Sequence, residues 1–338
     1  MRNILVTGAA GFIGAHLVRE LSSYDDCGVV GLDDLSGGFR ENTPDSIKLV
    51  EGSVTDEGLI RELFDKYDFE YVYHLAAYAA EGLSHFIRRF NYKNNLIGSA
   101  NLINESVKCD VECFIFTSSI AVYGENQVPM HEDMTPSPED PYGVAKYAVE
   151  MDLEAARDMF GLDYVVFRPH NVYGEYQNIG DKYRNVVGIF MNQVLKGEPM
   201  TIFGDGTQKR AFSYVRDIIP PIASAPWTDG AGSRVFNVGA DAPYSVNELA
   251  EEVAEVLGQP DYPVKHLEER NEVEVAYSDH SALRDVFGEQ PETPLDEGLE
   301  NMASWVKEVG ARSTPPFEGV EVERNLPPSW ADHIGIDQ

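Results

Sequence analysis

The chain has 338 residues, of which 43% are hydrophobic and 25% charged, a composition typical of a globular protein with a sizeable core. Acidic residues outnumber basic ones by 57 to 26, and the resulting net charge of −31 argues against nucleic acid or an anionic membrane surface as a partner. A soluble cytosolic protein is expected, with adaptation to high salt as the alternative explanation of the charge.

The N-terminal stretch and the cysteines indicate a cytoplasmic location. The stretch MRNILVTGAAGF is too short and too glycine-rich for a signal sequence, and no apolar run approaches the ~18 residues of a membrane span. Cys27, Cys109 and Cys113 are too few for a disulfide framework, and the last two lack the histidines of a metal site. We expect buried thiols and no metal.

The first half of the chain alternates short apolar runs with helical patterns. Several of the runs are apolar on both faces, as in a parallel sheet that is covered by helices on each side. The predicted fold class is therefore α/β, with a doubly wound parallel Rossmann sheet over residues 1–170. The predicted strands cover 3–8, 28–33, 47–52, 71–76, 113–119 and 164–169, and the predicted helices begin near Phe12, Asp56, Glu81 and Pro141.

The rhythm of strand and helix breaks after Asn171, where glycines and prolines become frequent. Residues 171–312 are predicted to form mainly a smaller mixed α/β lobe, with some segments returning to the first domain. Residues 313–338 are proline-rich and are predicted to form an extended tail on the surface or on a neighbouring subunit. The predicted elements of the lobe are helices at 186–196, 245–257 and 295–309 and strands near 200–203, 212–214 and 234–238.

A glycine-rich loop follows the first predicted strand. Gly8, Gly11 and Gly14 form a G-x-x-G-x-x-G array between that strand and the first helix. Such glycines let the backbone approach a pyrophosphate, and the helix N-terminus directs free N–H groups at the phosphates. Glycine-rich turns are common, but this position at the start of a β-α-β unit predicts a dinucleotide site.

The second predicted strand ends in Asp33, nineteen residues after Gly14, and Asp34 follows it. A carboxylate at this place accepts hydrogen bonds from ribose hydroxyls and repels a 2′-phosphate. Because the nearest basic residue, Arg40, lies beyond the strand, the sequence favours NAD over NADP. The alternative is that Asp33 is a solvated turn residue.

Tyr142 and Lys146 lie four residues apart in PYGVAKYAVE, at the start of a predicted helix. This spacing places the two side chains on the same helical face. A tyrosine hydroxyl has a pKa near ~10, and a neighbouring ammonium group favours the phenolate and lowers that pKa. The pair is a candidate general base; for an isolated pair, two surface residues would be the alternative.

Four further stretches extend the pattern over nearly the whole chain, namely YVYHLAA (71–77), FIFTSSIAVYG (114–124), FRPHNVYG (167–174) and TIFGDGTQKRAFSYVRD (201–217). Together with the glycine array and PYGVAK, they resemble the extended short-chain dehydrogenase/reductases of the nucleotide-sugar epimerase and dehydratase group. Within that group the chain is most similar to UDP-glucose or UDP-glucuronate 4-epimerases, as in DDLSGG (33–38).

The resemblance implies three catalytic residues and a set of cofactor contacts. Tyr142 would take a proton from a sugar hydroxyl while the carbon beneath loses hydride to NAD, and Lys146 would also hold the nicotinamide ribose. Ser119 would hydrogen-bond the reacting hydroxyl. The implied NAD contacts are Gly8, Gly11, Phe12, Ile13, Gly14, Asp33, Asp34, Ser53, Val54, Leu75, Ala76, Ala77, Asn95, Thr117, Ser118, Tyr142 and Lys146.

Two residues argue against the other reactions of this group. The related 4,6-dehydratases carry an Asp-Glu pair immediately before Val-Tyr-Gly, and UDP-glucuronate decarboxylases carry a glutamate at the second place. This chain has Ile120 and Ala121 there, and neither can transfer a proton. The expected reaction is oxidation at C4, rotation of the 4-keto sugar and return of hydride to its other face.

Basic residues of the second lobe are candidate ligands of a sugar-nucleotide diphosphate because the chain as a whole is acidic. By resemblance, Arg210 and Arg270 match the phosphate-binding arginines, and Asn171 and Asn185 match asparagines that contact the nucleotide sugar. Surface salt bridges are the alternative for both arginines, more so for Arg270, which glutamates flank.

The identity of the sugar is open at this stage, with UDP-glucose and UDP-galactose as the first expectation. Lys182 and Arg184 lie near the expected C5–C6 end, where either could pair with the carboxylate of UDP-glucuronate. The alternative is that they face the diphosphate or solvent. Ala276 occupies the place of a residue that can exclude N-acetyl groups, so N-acetylhexosamines also remain candidates.

Two further readings stay open beside the epimerase. One is a dehydratase, decarboxylase or 4-reductase of a nucleotide sugar. The other is a catalytically silent nucleotide-binding scaffold, against which the intact serine, tyrosine and lysine argue. The resemblance also implies a homodimer, formed through two helices per subunit at roughly 81–107 and 141–160.

Overall fold

A computed structural model describes residues 2–125, 127–269, 273–315 and 317–334. Its strands are β1 (Arg2–Thr7), β2 (Cys27–Asp33), β3 (Lys48–Glu51), β4 (Tyr71–His74), β5 (Cys113–Thr117), β6 (Tyr164–Pro169), β7 (Val172–Tyr173), β8 (Met200–Phe203), β9 (Lys209–Ala211), β10 (Ser213–Tyr214), β11 (Arg234–Val238), β12 (Pro243–Ser245), β13 (Val264–Leu267) and β14 (Val275–Ala276). Its α-helices are α1 (Phe12–Ser22), α2 (Glu57–Tyr67), α3 (Glu81–Ser84), α4 (Arg88–Tyr92), α5 (Gly98–Lys108), α6 (Pro141–Phe160), α7 (Val186–Lys196), α8 (Val215–Ser224), α9 (Val246–Val256), α10 (Ser281–Phe287), α11 (Leu295–Val309) and α12 (Pro328–Ile334).

Seven parallel strands form the main sheet in the order β11-β6-β5-β4-β1-β2-β3. Every residue of β4, β5 and β6 is buried, which explains why these strands read as continuous apolar runs. Alternate residues of β1 enter opposite cores: Ile4 and Val6 pack on one face of the sheet and Leu5 on the other. The doubly wound α/β fold that the sequence predicted is confirmed.

Helix α6, which carries the Tyr142–Lys146 pair, begins and ends at residues suited to those places. The Asp140 carboxylate accepts the backbone N–H groups of Tyr142 (2.8 Å) and Gly143 (3.0 Å), and Pro141 occupies the first turn. Gly161 ends the helix in the left-handed conformation, with a φ of 81°. The start of α6 is therefore fixed beside the carboxyl end of β5.

The smaller lobe contains three short sheets, which pair β10 with β7, β13 with β8, and β9 with both β12 and β14. Helices α7, α9 and α11 pack together within it. Between the earlier and the later elements of this lobe the chain returns to the main sheet, where β11 pairs with β6 along its whole length, from Arg234 opposite Val165 to Val238 opposite Pro169. The lobe is therefore built from segments on both sides of β11: β7 to β10 and α7 precede this strand, and β12 to β14, α9 and α11 follow it.

Two segments differ from the predicted helices. The segment predicted as one helix at 81–107 is divided into α3, α4, a π-helical turn at Lys93–Ile97 and α5. Helix α8 was not predicted, because Pro220 and Pro221 lie inside it and proline ordinarily ends a helix. Burial of Ile218 and Ile222 holds α8 in place beside α1.

The C-terminal segment, predicted to be extended, contains α12 and packs on its own chain. Residues 317–331, which we call the C-terminal strap, contribute Phe317, Leu326 and Trp330 to an apolar cluster. Ala80, Leu83 and Ile87, which follow β4 in the chain, are the buried residues on the other side of this cluster. The strap therefore lies over the loop that follows β4.

Candidate active site

A cavity of about 450 Å³ lies at the carboxyl edge of the main sheet. This is the edge at which parallel α/β sheets bind their ligands. The glycine loop, the ends of β2, β4 and β5, the start of α6 and the loop after β6 form its walls. The predicted site residues that line it are Gly8, Gly11, Phe12, Ile13, Gly14, Asp33, Asp34, Ser53, Val54, Leu75, Ala76, Ala77, Thr117, Ser118, Ser119, Tyr142, Lys146, Asn171, Arg184 and Asn185.

The glycine loop forms a cradle with no room for side chains. Gly8 has a φ of +72°, and a Cβ at this residue would lie 2.8 Å from the backbone nitrogen of Ala76. A Cβ at Gly14 would lie only 2.0 Å from the carbonyl oxygen of Gly8. Helix α1 starts from this loop and has no acidic residue in its first turn, so its N-terminus is open to an anion. These residues fit the pyrophosphate of a dinucleotide.

Asp33 joins the end of β2 to the glycine loop. Its carboxylate accepts the N–H groups of Ala10 (2.9 Å) and Leu35 (2.8 Å). Burial raises the pKa of this carboxyl, and the two N–H donors oppose that effect. Asp33 therefore braces the loop on which a dinucleotide would rest, in addition to lining the cavity where a ribose would lie.

Tyr142 is buried at the start of α6, next to Ser119 at the end of β5. Burial raises the pKa of Tyr142 above its ordinary value, while its hydrogen bond with Ser119 lowers the pKa. The Ser119 hydroxyl oxygen also accepts the N–H of Ala121 at 3.1 Å. This second bond orients the serine toward the cavity edge, where it and Tyr142 can share one substrate hydroxyl.

Lys146 lies one helical turn after Tyr142 and is buried beneath the cavity. Its ammonium group donates to the Thr117 carbonyl at 2.7 Å and lies 5.8 Å from the centre of the Tyr142 ring. Burial lowers the pKa of Lys146 to about 7, and the negative charge of Glu150 opposes that shift. The cation expected to favour the phenolate is therefore close to its own titration point at neutral pH.

A buried network beneath the site was not predicted from the sequence. Glu150 receives the Arg168 guanidinium through two hydrogen bonds, at 3.0 and 2.5 Å, and the Ser118 hydroxyl at 2.5 Å. Arg168 also donates to the Tyr123 hydroxyl at 2.7 Å. The network joins α6, β5 and β6, so it fixes Ser118 beside the reacting groups and places a negative charge near Lys146.

Replacing Glu150 with glutamine is expected to lower the free energy of unfolding by about 3 kcal/mol, because Arg168 would keep a buried and uncompensated charge. The pKa of Lys146 should also fall further, since the Glu150 charge raises it. Urea unfolding measures the first effect. Glu154→Gln, at an exposed position of the same helix, is the control and should change stability by less than about 0.5 kcal/mol. Equal stability of the two variants would contradict the role given to the network.

Other predicted residues lie outside the cavity wall. Asn95 is buried, and its side chain holds the backbone N–H and carbonyl of Tyr78, at 2.8 and 3.0 Å. It therefore positions the loop after β4. Arg210, in β9, donates to the carbonyls of Lys209, Glu274 and Val273 and is not among the lining residues. Arg270 lies outside the described residues.

Two asparagines and an arginine line the cavity from the segments next to β7: Asn171 precedes this strand, and Arg184 and Asn185 lie between it and α7. Asn171 and Asn185 both have positive φ angles, 40° and 43°, which asparagine adopts more readily than most residues. The Asn185 carbonyl caps α7 by accepting the N–H of Val187 at 3.2 Å, and its amide donates to Val172. Arg184 lies between these turns and is described in more detail below.

Several lining residues were missed by the sequence predictions. Gly37, Tyr78, Glu81, Phe90 and Gln177 also line the cavity. Tyr78 lies in the loop just beyond the carboxyl end of β4, and such loops commonly reach the ligand edge of a parallel sheet, so its position was available as a signal. Gly37 lies in DDLSGG, a stretch that the sequence analysis singled out without assigning this glycine a contact. The other three follow no local pattern, because the packing of separate loops brings them to the cavity.

The parallel sheet, the glycine cradle and the buried tyrosine–lysine pair define a dinucleotide-dependent enzyme of the short-chain dehydrogenase/reductase type. The sequence profile of the NAD dependent epimerase/dehydratase family matches residues 4–239. The chain belongs to this family, and its cofactor is NAD.

The relatives and structural neighbours are enzymes of nucleotide sugars. A UDP-glucose 4-epimerase of Mycolicibacterium smegmatis is 36% identical over 302 residues, which cover 87% of this chain and 95% of that protein. The crystal structure of UDP-glucose 4-epimerase from Thermotoga maritima with UDP-glucose has 37% identity and a TM-score of 0.86, covering 91% of this chain and 99% of that one. UDP-glucuronic acid 4-epimerase of Bacillus cereus, solved with UDP-glucuronic acid and NAD, has 28% identity and a TM-score of 0.83, with coverage of 91% and 99%.

The described part of the chain has neither a membrane-spanning helix nor a metal-binding cluster. Within residues 2–125, 127–269, 273–315 and 317–334, no helix combines the length and the apolar character needed to cross a bilayer. The same residues contain no group of three or more His, Cys, Asp or Glu side chains arranged to hold a metal ion.

Proposed function

We propose that this enzyme is an NAD-dependent 4-epimerase of UDP-sugars, with UDP-glucose and UDP-galactose as its substrates. The observation that carries the proposal is the meeting of Ser119, Tyr142 and Lys146 at the edge of the cavity that the glycine loop lines. Ile120 and Ala121, in the turn after β5, offer no proton donor for elimination or decarboxylation. The similarity to UDP-glucose 4-epimerases supports the same reading.

The chain's own residues would move the proton of the C4 hydroxyl. Ser119 would hold that hydroxyl against the Tyr142 oxygen, and Tyr142 as the phenolate would take its proton when the C4 carbon is oxidised. Lys146, in its protonated form, would stabilise that phenolate. NAD, when bound, supplies hydride acceptance and its return. After the 4-keto sugar has turned, Tyr142 would give the proton back to the same oxygen, so the enzyme ends each cycle unchanged.

The second lobe would hold the nucleotide while the sugar turns. Asn171 and Asn185 line the cavity and are proposed to contact the nucleotide sugar. Arg210 and Arg270 are proposed to contact its diphosphate. If the lobe binds only the UDP moiety, the hexose remains free to rotate, as a 4-epimerase requires.

Product analysis tests the proposed function. The purified enzyme would be incubated separately with UDP-glucose, UDP-galactose, UDP-glucuronate and UDP-N-acetylglucosamine, and the products resolved by proton NMR. We expect interconversion of UDP-glucose and UDP-galactose with no net NADH in the absorbance at 340 nm. A 4-keto-6-deoxy product would indicate a dehydratase, and release of carbon dioxide a decarboxylase. If the enzyme converts only UDP-glucuronate or only UDP-N-acetylglucosamine, that sugar nucleotide replaces UDP-glucose as the assigned substrate. Absence of any turnover would indicate a catalytically silent scaffold.

A homodimer working in the cytoplasm remains part of this proposal. Ile97 at the end of the π-helical turn, and Val144 and Met151 on α6, are exposed apolar side chains on the two predicted interface segments. Covering such residues with a second copy would remove apolar surface from water. Sedimentation velocity would test it: a species of twice the 37.6 kDa chain mass is expected.

A further inference from the structure

Arg184 reaches from the second lobe across to the loop that follows β2 in the first domain. Its terminal nitrogens lie 3.0 and 3.3 Å from the position that a Cβ on Gly37 would occupy. The next residue, Gly38, lies so close to the glycine loop that its Cβ would be 2.4 Å from the carbonyl oxygen of Ala10. The guanidinium therefore lies against the loop that adjoins the phosphate cradle, in the same cavity.

Two contacts fix the guanidinium in this position. The Asp181 carboxylate, whose side chain is 5% exposed, accepts from Nε at 2.7 Å and lies 2.6 Å from Nη2. The ring of Tyr78 lies beneath it, with 5.0 Å between the guanidinium carbon and the ring centre. Because the acid holds one edge and the ring holds one face, the group is oriented before any ligand arrives.

The charged side chains that line the cavity make Arg184 a candidate to bind a diphosphate. Lys146 and Arg184 are the lysine and arginine side chains among the described lining residues, and Lys146 is bound beneath the floor to Thr117. Asp33 and Asp34 line the same end of the cavity as the glycine loop. A diphosphate in the cradle would therefore meet two carboxylates, and the cation that lies against this end is Arg184.

The C-terminal strap holds both neighbours of Arg184. On one side, the Phe317 ring packs against Tyr78 and Phe90, with centres 5.4 and 5.0 Å apart. On the other side, Trp330 packs against Tyr183, the residue before Arg184, at 5.3 Å. The Glu321 carboxylate accepts the backbone N–H groups of residues 89 and 90 at 2.9 Å, which fixes the strap to the loop after β4.

We propose that Arg184 binds the diphosphate of NAD and that the C-terminal strap keeps it there, so that the cofactor is retained between turnovers. This inference rests on NAD as the cofactor and not on the reaction at C4. It assigns to the cofactor a residue that the sequence analysis counted among the substrate contacts, with its exact place left open between the C5–C6 end of the sugar and the diphosphate or solvent. Retention suits an enzyme that ends each cycle with its cofactor in the starting form.

Equilibrium binding of NADH and of UDP to the purified full-length protein, freed of cofactor, tests the role of Arg184. Fluorescence titration of Arg184→Gln with NADH should give a Kd about 10- to 100-fold higher than that of the parent, as expected for a lost charged hydrogen bond. Calorimetric titration with UDP should give a Kd within about threefold of the parent, since UDP is proposed to bind to other residues of the second lobe and not to Arg184. Arg157→Gln, exposed on α6, is the charge-matched control and should bind both ligands like the parent.

A weaker UDP affinity with unchanged NADH affinity would overturn the proposal, and so would unchanged affinity for both. Arg184→Lys keeps the charge but not the planar guanidinium, so it should lie between the parent and the glutamine variant. Far-UV circular dichroism would verify that each variant is folded. If NADH binds as expected but no sugar is epimerised, the proposed reaction fails and this assignment stands.

The rate of NADH release tests the strap. Phe317→Ala should release NADH about three- to tenfold faster in a stopped-flow chase with excess NAD, because Tyr78 loses one of its packing partners. Phe160→Ala removes an aromatic ring that is 67% exposed at the end of α6 and should leave the rate unchanged. Equal rates in the two variants would show that the strap does not retain the cofactor.

Discussion

The variant Tyr142→Phe is expected to lose turnover by about 10³-fold or more while it binds NAD like the parent enzyme. The change removes one buried oxygen, the proposed acceptor of the C4 hydroxyl proton, and general-base groups contribute about 10²- to 10⁴-fold. The ring itself remains, so the packing at the start of α6 and the contact with Lys146 are kept. The measurement is the initial rate of UDP-galactose formation from UDP-glucose, together with an NADH titration.

Tyr147→Phe provides the matched control for this experiment. Tyr147 lies on the same helix but packs with residues outside the cavity wall, including Val128 and Met134. Removing its hydroxyl should leave turnover within about twofold of the parent, as for a surface substitution. Comparable turnover in the Tyr142 and Tyr147 variants would remove Tyr142 from the mechanism, whatever reaction the enzyme catalyses.

The variant Gly14→Ala is expected to weaken NAD binding by about 100-fold or more. The added Cβ would lie 2.0 Å from the carbonyl oxygen of Gly8 and 3.0 Å from the Cα of Ala9, and both are backbone atoms that cannot turn away. The start of α1 would therefore have to move off the loop that it closes. Overpacking of this kind costs about 3 kcal/mol, which corresponds to about 100-fold in affinity if the bound conformation bears the cost.

Gly58→Ala separates this effect from a general cost of replacing glycine. Gly58 lies in the first turn of α2, and its added Cβ would meet the Asp56 carboxylate at an ordinary 3.4 Å. This variant should bind NADH with the parent Kd in a fluorescence titration. If Gly14→Ala is folded by circular dichroism and also binds NADH with the parent Kd, the close approach at Gly14 is not needed for cofactor binding.

The sequence predicted the main sheet well because each strand is a local apolar run. β6 and β11 have the predicted bounds, and β1 to β5 lie within two residues of theirs. Helix α8 was missed because its two prolines signal a break, whereas the burial of Ile218 and Ile222 against other elements outweighs that local preference. A local sequence pattern indicates which backbone conformation is preferred, but it does not indicate what a helix packs against in the folded protein.

The residues of the site likewise fall into those that local spacing reveals and those that only the fold brings together. Gly14, Tyr142 and Lys146, which line the cavity, were candidates from the sequence because their proposed roles depend on spacing within one loop or one helical turn. Glu150 and Arg168 form an ion pair between a helix and a strand, eighteen residues apart in the chain, so no periodic pattern in the sequence predicts it. Arg184 was found as a basic residue in an acidic chain, but its neighbour Gly37 belongs to a loop nearly 150 residues earlier, and only the folded chain brings them together.

The pairing of β11 with β6 sets how the two halves of the enzyme are joined. The chain leaves the main sheet after β6 and comes back to it at the neighbouring strand, so two adjacent segments connect the lobe to the sheet. Two adjacent connections restrict the relative motion of the halves more than a single flexible linker would. We therefore expect the loops around the cavity, more than the position of the lobe as a whole, to change when ligands enter and leave.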